Sequence, residues 1–146
     1  SEEISAFVAI PHGEGFGLPI FEAAYSGLPV VATGWSGQLD FLVDEKGKDQ
    51  FYNVNFDIGT VQPEVVWDQV LIAESGWAYA RENSYKSKLR QCYDDVTEGN
   101  NSNATEYANE LKERFSEEKM YKLFVDSLGL DVDSSWTQQL SEIEII

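Results

Sequence analysis

The sequence predicts an α/β fold, a partial Rossmann-like parallel sheet with additional helices toward the C-terminus. Three observations carry this reading. The run 6-AFVAI-10 is short, continuously apolar and followed by Pro11. A second run of the same kind, 29-PVVAT-33, lies a short distance on. Between them stand a glycine-rich stretch and one helix-sized segment, so the whole reads as a β-loop-α-β unit with a right-handed crossover.

Taken in order, 6-AFVAI-10 is expected to be a strand buried on both faces, as in parallel sheets. Pro19 suits the first turn of a helix, where its missing N–H would be unpaired anyway, and Gly27 suits the position just past the end, so the helix is expected over about Pro19 to Ser26. The strand 29-PVVAT-33 ends at the turn-forming 34-GWSGQ-38. Next, 39-LDFLV-43 reads as one or two helical turns, 44-DEKGKD-49 as a surface turn and 51-FYNVNF-56 as a third strand. Val65, Val66, Val70 and Leu71 recur at helical spacing, as do Leu89, Cys92, Tyr93 and Val96. After the loop 99-GNNSN-103, Tyr107, Leu111 and Phe115 mark one helix, and Tyr121, Phe124, Val125 and Leu128 another that Gly129 stops. The tail 130-LDVDSSWTQQLSEIEII-146 reads either as a docking helix or as a loose end. Residues 1–98 are expected to form the sheet domain and 99–146 the C-terminal helices and tail that pack on it.

A doubly wound domain needs about five or six parallel strands, and three are visible here. The chain is therefore expected to be the C-terminal part of a larger unit, and the uncovered sheet edge is expected to promote self-association.

Composition limits the function classes. The net charge of −16 among 146 residues argues against nucleic acid as a partner, because phosphates need a basic surface. From Asp94 onward thirteen acidic residues face four basic ones, which reads as a solvated helical surface. No apolar run reaches the roughly 18–20 residues that span a bilayer, and 1-SEEIS-5 lacks a signal-peptide pattern, so a cytoplasmic setting is expected. With one cysteine, Cys92, the chain can form no internal disulfide and no cysteine-based metal site. Cys92 itself is expected to be a small buried apolar residue. The sequons at Asn100 and Asn103 are read as part of a polar loop.

The chemistry gathers in 12-HGEGFGLPIFEAAYSGLPVVAT-33, where Glu14 and Glu22 are eight positions apart on either side of a glycine-rich turn. Open α/β sheets bind ligands beyond the carboxyl ends of their strands, and Glu14 follows the first strand. Gly13, Gly15 and Gly17 can take positive φ and leave amides uncovered, and the helix after them points its positive end into the same space. That suits a phosphate. A carboxylate does not, but it accepts two hydrogen bonds from a vicinal diol such as a ribose, which is a fitting role for Glu22, while Glu14 can meet a second polyol. A diphosphate with a hydroxylated ring at each end satisfies every element, and such a ligand is a nucleotide sugar.

The residues 14-EGFGLPIFE-22 resemble the E-x7-E signature of retaining glycosyltransferases of the GT-B fold, family 4, and 23-AAYSGLPVVATGWSGQLDFL-42 continues the likeness. It is strong over residues 6–42 and weaker to about Tyr93, where 77-WAYARENSYKSKLRQCY-93 resembles a tryptophan segment and helix of some members. The resemblance implies the C-terminal part of a donor-binding domain. It makes Glu14 the catalytic glutamate that approaches the donor sugar, and Glu22 the one that holds the ribose. Gly15, Phe16, Gly17 and Leu18 then line the donor, with backbone contacts from Phe16 to Leu18. A nucleoside-diphosphate sugar is the substrate and no metal or other cofactor is implied; the acceptor is a glycan or another hydroxyl compound. The family's diphosphate-binding Arg and Lys and its acceptor domain lie upstream of the matching region, so this chain alone is expected to be inactive. The alternative is a non-catalytic nucleotide-sugar-binding or assembly module of the same ancestry.

Other residues carry blander readings. His12, beside the motif, is expected to pack in the loop or touch the substrate rim. Trp35, at a strand's carboxyl end, can line the pocket, whereas Trp67, Trp77 and Trp136 read as core or helix-packing residues. Arg81, Lys86, Lys88 and Arg90 read as a solvated helix face.

Overall fold

A computed structural model describes residues 4–129. It is mixed α/β, with a three-stranded parallel sheet, a two-stranded antiparallel ribbon and helices. The chain divides into two compact units between Leu111 and Lys112.

In the first unit, β1 (Phe7–Ala9), β2 (Val30–Thr33) and β3 (Tyr52–Val54) pair in parallel in the order β1-β2-β3. Successive side chains of a strand point to opposite faces, so burial of all four residues of β2 means that both its faces are covered. Strand β1 is different. It lies at the edge, and Val8 is 49% exposed, so the expectation of a strand buried on both faces is corrected: with β2 on one side only, β1 keeps part of its apolar surface in solvent.

Helix α1 (Leu18–Tyr25) joins β1 to β2 and buries Ile20, Ala23 and Ala24, with Pro19 in its first turn. Gly27 closes it at φ 83°, and the Leu28 N–H bonds to the Ala23 carbonyl at 3.1 Å. The short α2 (Leu39–Leu42) buries Phe41 and Leu42. Helix α3 (Glu82–Thr97) sets Leu89, Cys92 and Val96 against Val31 and Val54, where Cys92 is the small buried residue its composition suggests. Arg81 and Lys86, beside and on it, are exposed and pair with Asp57 and Glu82.

The expected single strand at 51–56 breaks at Asn55. The Asn55 N–H bonds to Ser84 Oγ at 2.9 Å and its carbonyl accepts the Arg81 N–H at 2.8 Å, so its backbone leaves the parallel ladder. Beyond it, β4 (Phe56–Thr60) pairs antiparallel with β5 (Gly76–Ala80). The helix expected through Val65–Leu71 is absent. Instead a 3-10 turn at Pro63–Val65 gives way to extended Val66, Gln69 takes φ 63°, and Trp67 pairs back on Leu71. Val65, Val66 and Val70 are exposed, and Trp67 is 69% exposed rather than a core residue.

Helix α4 (Ser102–Arg114) buries Tyr107, Ala108 and Leu111, and the Tyr107 hydroxyl donates to the Phe41 carbonyl at 2.9 Å. In the second unit, α5 (Glu117–Ser127) starts after Ser116 with two acidic residues in its first turn, and Gly129 follows its end at φ 66°. Its Tyr121, Leu123 and Phe124 are exposed. The tail after Gly129, Trp136 included, lies outside the described residues.

Candidate functional site

Because β1 and β2 are parallel neighbours, the loops after them emerge side by side at the carboxyl end of the sheet. The first carries His12 to Gly17 and the second Gly34 to Gln38. They are tied through one residue. Ser36 Oγ donates to the Glu14 carbonyl at 2.7 Å and accepts the Glu14 N–H at 3.3 Å, and the Gly37 N–H reaches the same carbonyl at 3.1 Å. To do this Ser36 adopts the left-handed conformation, φ 77°, which L side chains seldom take. Gly37 is required for another reason: a Cβ there would stand 1.9 Å from the Gly15 carbonyl oxygen. Sequence reading saw 34-GWSGQ-38 as a turn and missed Ser36 and Gly37 as the residues that hold Glu14. The signal was present in the paired glycines of that turn.

Of the three glycines expected to take positive φ, Gly17 alone does, at 85°; Gly13 and Gly15 do not need it, because the turn into α1 is made at a single residue. Gly17 is the N-cap of α1 and offers no side chain to its first amides. Among the described residues, the N–H groups of Gly15, Gly17 and Leu18 donate to no backbone acceptor. These open donors at a helix N-terminus are the arrangement that receives an anion.

Glu14 is half-buried and Glu22, one turn into α1, is exposed. Among the described residues neither carboxylate has a hydrogen bond or ion pair within the chain. Phe16 is partly exposed, with its ring against Phe21 and Phe41 at 5.3 and 4.9 Å, so aromatic packing sets its side chain. Leu18 projects into solvent.

His12 is a packing residue. Its Nδ1 lies 2.7 Å from the Ala78 carbonyl, an acceptor, so Nδ1 carries the proton. The ring stacks on Trp77 at 4.6 Å and 5°, and the Ala78 N–H bonds back to the His12 carbonyl at 3.0 Å. Trp77 thus docks the ribbon on the loop after β1, instead of filling the core. Trp35 follows β2, is partly exposed and leans on Phe56 at 5.4 Å. Lys46 and Lys48 lie in the surface turn, where both amides bond to Asp44 Oδ1.

Beneath the second loop, Gln38 Nε2 donates to the Thr33 carbonyl at 3.0 Å, while Gln38 Oε1 and Thr33 Oγ1 are buried with no partner among the described residues. Neither of two cavities elsewhere on the unit, one beside Asn55 and Arg81 and one between Tyr52 and Asn101, includes a motif residue. Among the described residues no group of three or more His, Cys, Asp or Glu is placed to hold a metal, and no helix is long and apolar enough to cross a membrane. Comparisons with protein-family models, curated proteins and solved structures give no match.

Proposed function

We propose that this chain is the donor-binding part of a retaining glycosyltransferase of the GT-B fold, family 4, and that it works in the cytoplasm. The transferase moves a hexose from a nucleoside-diphosphate sugar to a glycan or other hydroxyl acceptor. One observation carries the reading: Glu14 and Glu22, two carboxylates without partners among the described residues, flank a helix N-terminus with open amides at the carboxyl end of adjacent parallel strands. The amides of Gly15, Gly17 and Leu18 receive the diphosphate and stabilise it as it departs. Glu22 accepts the two ribose hydroxyls. Glu14, its backbone held by Ser36, faces the sugar as it gains positive charge, with departure and attack on one face.

The test separates the two glutamates. Glu22→Gln keeps the size but loses the charge, and is expected to weaken nucleoside-diphosphate binding to the chain by roughly 1.5–3 kcal/mol in calorimetry. Glu14→Gln is expected to leave that affinity unchanged and to lower kcat in the transferase, because its interaction grows only in the transition state. Equal losses of diphosphate affinity would refute the division of roles, and undiminished turnover in both variants would refute the glycosyltransferase reading.

A further inference from the structure

The opposite end of the parallel sheet holds a separate cavity of about 230 Å³, between the starts of β2 and β3, the outer side of α3 and the loop that opens α4. We propose that this cavity is a binding site for a neutral polyhydroxyl ligand the size of one monosaccharide. The proposal does not rest on the donor-site reading, since the two places share no residue.

Charge comes first. The lining carries Lys48 and Lys88 against Asp49 and Asp95, a formal balance of zero that gives neither a phosphate nor a polyamine a net attraction. Donors and acceptors come next. Among the described residues the side-chain amides of Asn101 and Asn103 have no partner, and each offers both a carbonyl and an NH2. Asp95 accepts the Tyr52 hydroxyl at 2.8 Å through Oδ2, and its Oδ1 has no partner among the described residues. Burial, with the Asp95 carboxylate beside it, pushes the Tyr52 hydroxyl above its ordinary range, so it stays a donor and holds Asp95 in place. These donors and acceptors together suit the hydroxyls of a sugar ring, each of which donates once and accepts. Phe51, also in the lining, supplies an apolar face for the ring's C–H groups. The volume is below the roughly 300–1,000 Å³ of drug-sized sites and suits a single small ring.

Amide NMR of the full chain tests this, with methyl α-glucoside, methyl β-galactoside and myo-inositol as neutral probes and inorganic phosphate as the charged one. At least one neutral probe is expected to give saturable shifts at Asp95, Asn101 and Asn103 while Gly15 and Gly17 stay still. Asn101→Ala and the exposed Asn103→Ala, neither of which disturbs the core, are each expected to weaken that binding about tenfold. Three neutral probes without saturable shifts there, phosphate binding in their place, or undiminished binding in both variants would overturn the proposal. A nucleoside diphosphate that leaves Gly15 to Leu18 unmoved would count against the donor site alone.

Discussion

Strands β2 and β5, VVAT and GWAYA, are both short, largely apolar and uncharged, yet β2 is buried at every residue and β5 only at Ala78. Composition does not separate them. Their neighbours do: β2 has a parallel strand on each side, while β5 has β4 alone. An apolar strand in the middle of a sheet is covered by what its neighbours bring with them, whereas a two-stranded ribbon must find cover elsewhere, and β5 finds part of it where Trp77 and Tyr79 meet His12 and where Ala80 packs against Val31, Val54 and Cys92.

Matched aromatic truncations put the contrast at its strongest. Phe41, fully buried beside the parallel layer, is expected to cost about 3–5 kcal/mol on Phe41→Ala, measured by denaturant unfolding. Trp67, on the excursion between β4 and β5, loses a larger side chain on Trp67→Ala yet is expected to stay within about 0.5 kcal/mol of the parent. Similar losses would abolish the distinction. Gly37→Ala, which forces two loops of the layer apart, is expected to cost about 1–3 kcal/mol and to weaken diphosphate binding as well. Tyr107→Phe removes one buried hydrogen bond to the Phe41 carbonyl and should cost about 1 kcal/mol by the same unfolding measurement.

The smallest effect is electrostatic and local. The Lys48 amide, helped by Gln50 and the Lys46 amide, lowers the Asp44 pKa below the ordinary aspartate range. A depressed carboxylate pKa means that the order it gives the turn is present above the unfolded pKa and is lost as pH falls through the folded one. The Lys46 and Lys48 amide resonances are therefore expected to titrate together, with a midpoint below that of a free aspartate. A midpoint at the ordinary value would remove Asp44 from the turn.

The same contrast explains what could be read from the residues. The parallel strands, α1 with its Pro19 and Gly27, and the helices from Glu82 onward were legible because apolar runs and helix-end residues act locally. Strand β5 was not, since Gly76–Ala80 becomes a strand only through its pairing with β4. The apolar spacing at Val65–Leu71 misled because a helical period needs a surface to pack on, and Val65, Val66, Trp67 and Val70 stay exposed. At the candidate site, the placement of Glu14 and Gly17 in the loop after β1 and of Glu22 on α1 was legible from the glycines and Pro19. The hold of Ser36 on Glu14 was not, because it joins positions twenty-two apart and depends on two strands lying side by side.

That hold bears on how such a loop could be moved between proteins. A transplant of residues 12–17 alone would carry the glutamate but leave its backbone without Ser36, and a host with any side chain at the position of Gly37 would push the incoming loop away. The transferable piece is the pair of loops with the two strands that set their spacing. Substitutions in one loop are then expected to be tolerated only with matching changes in the other.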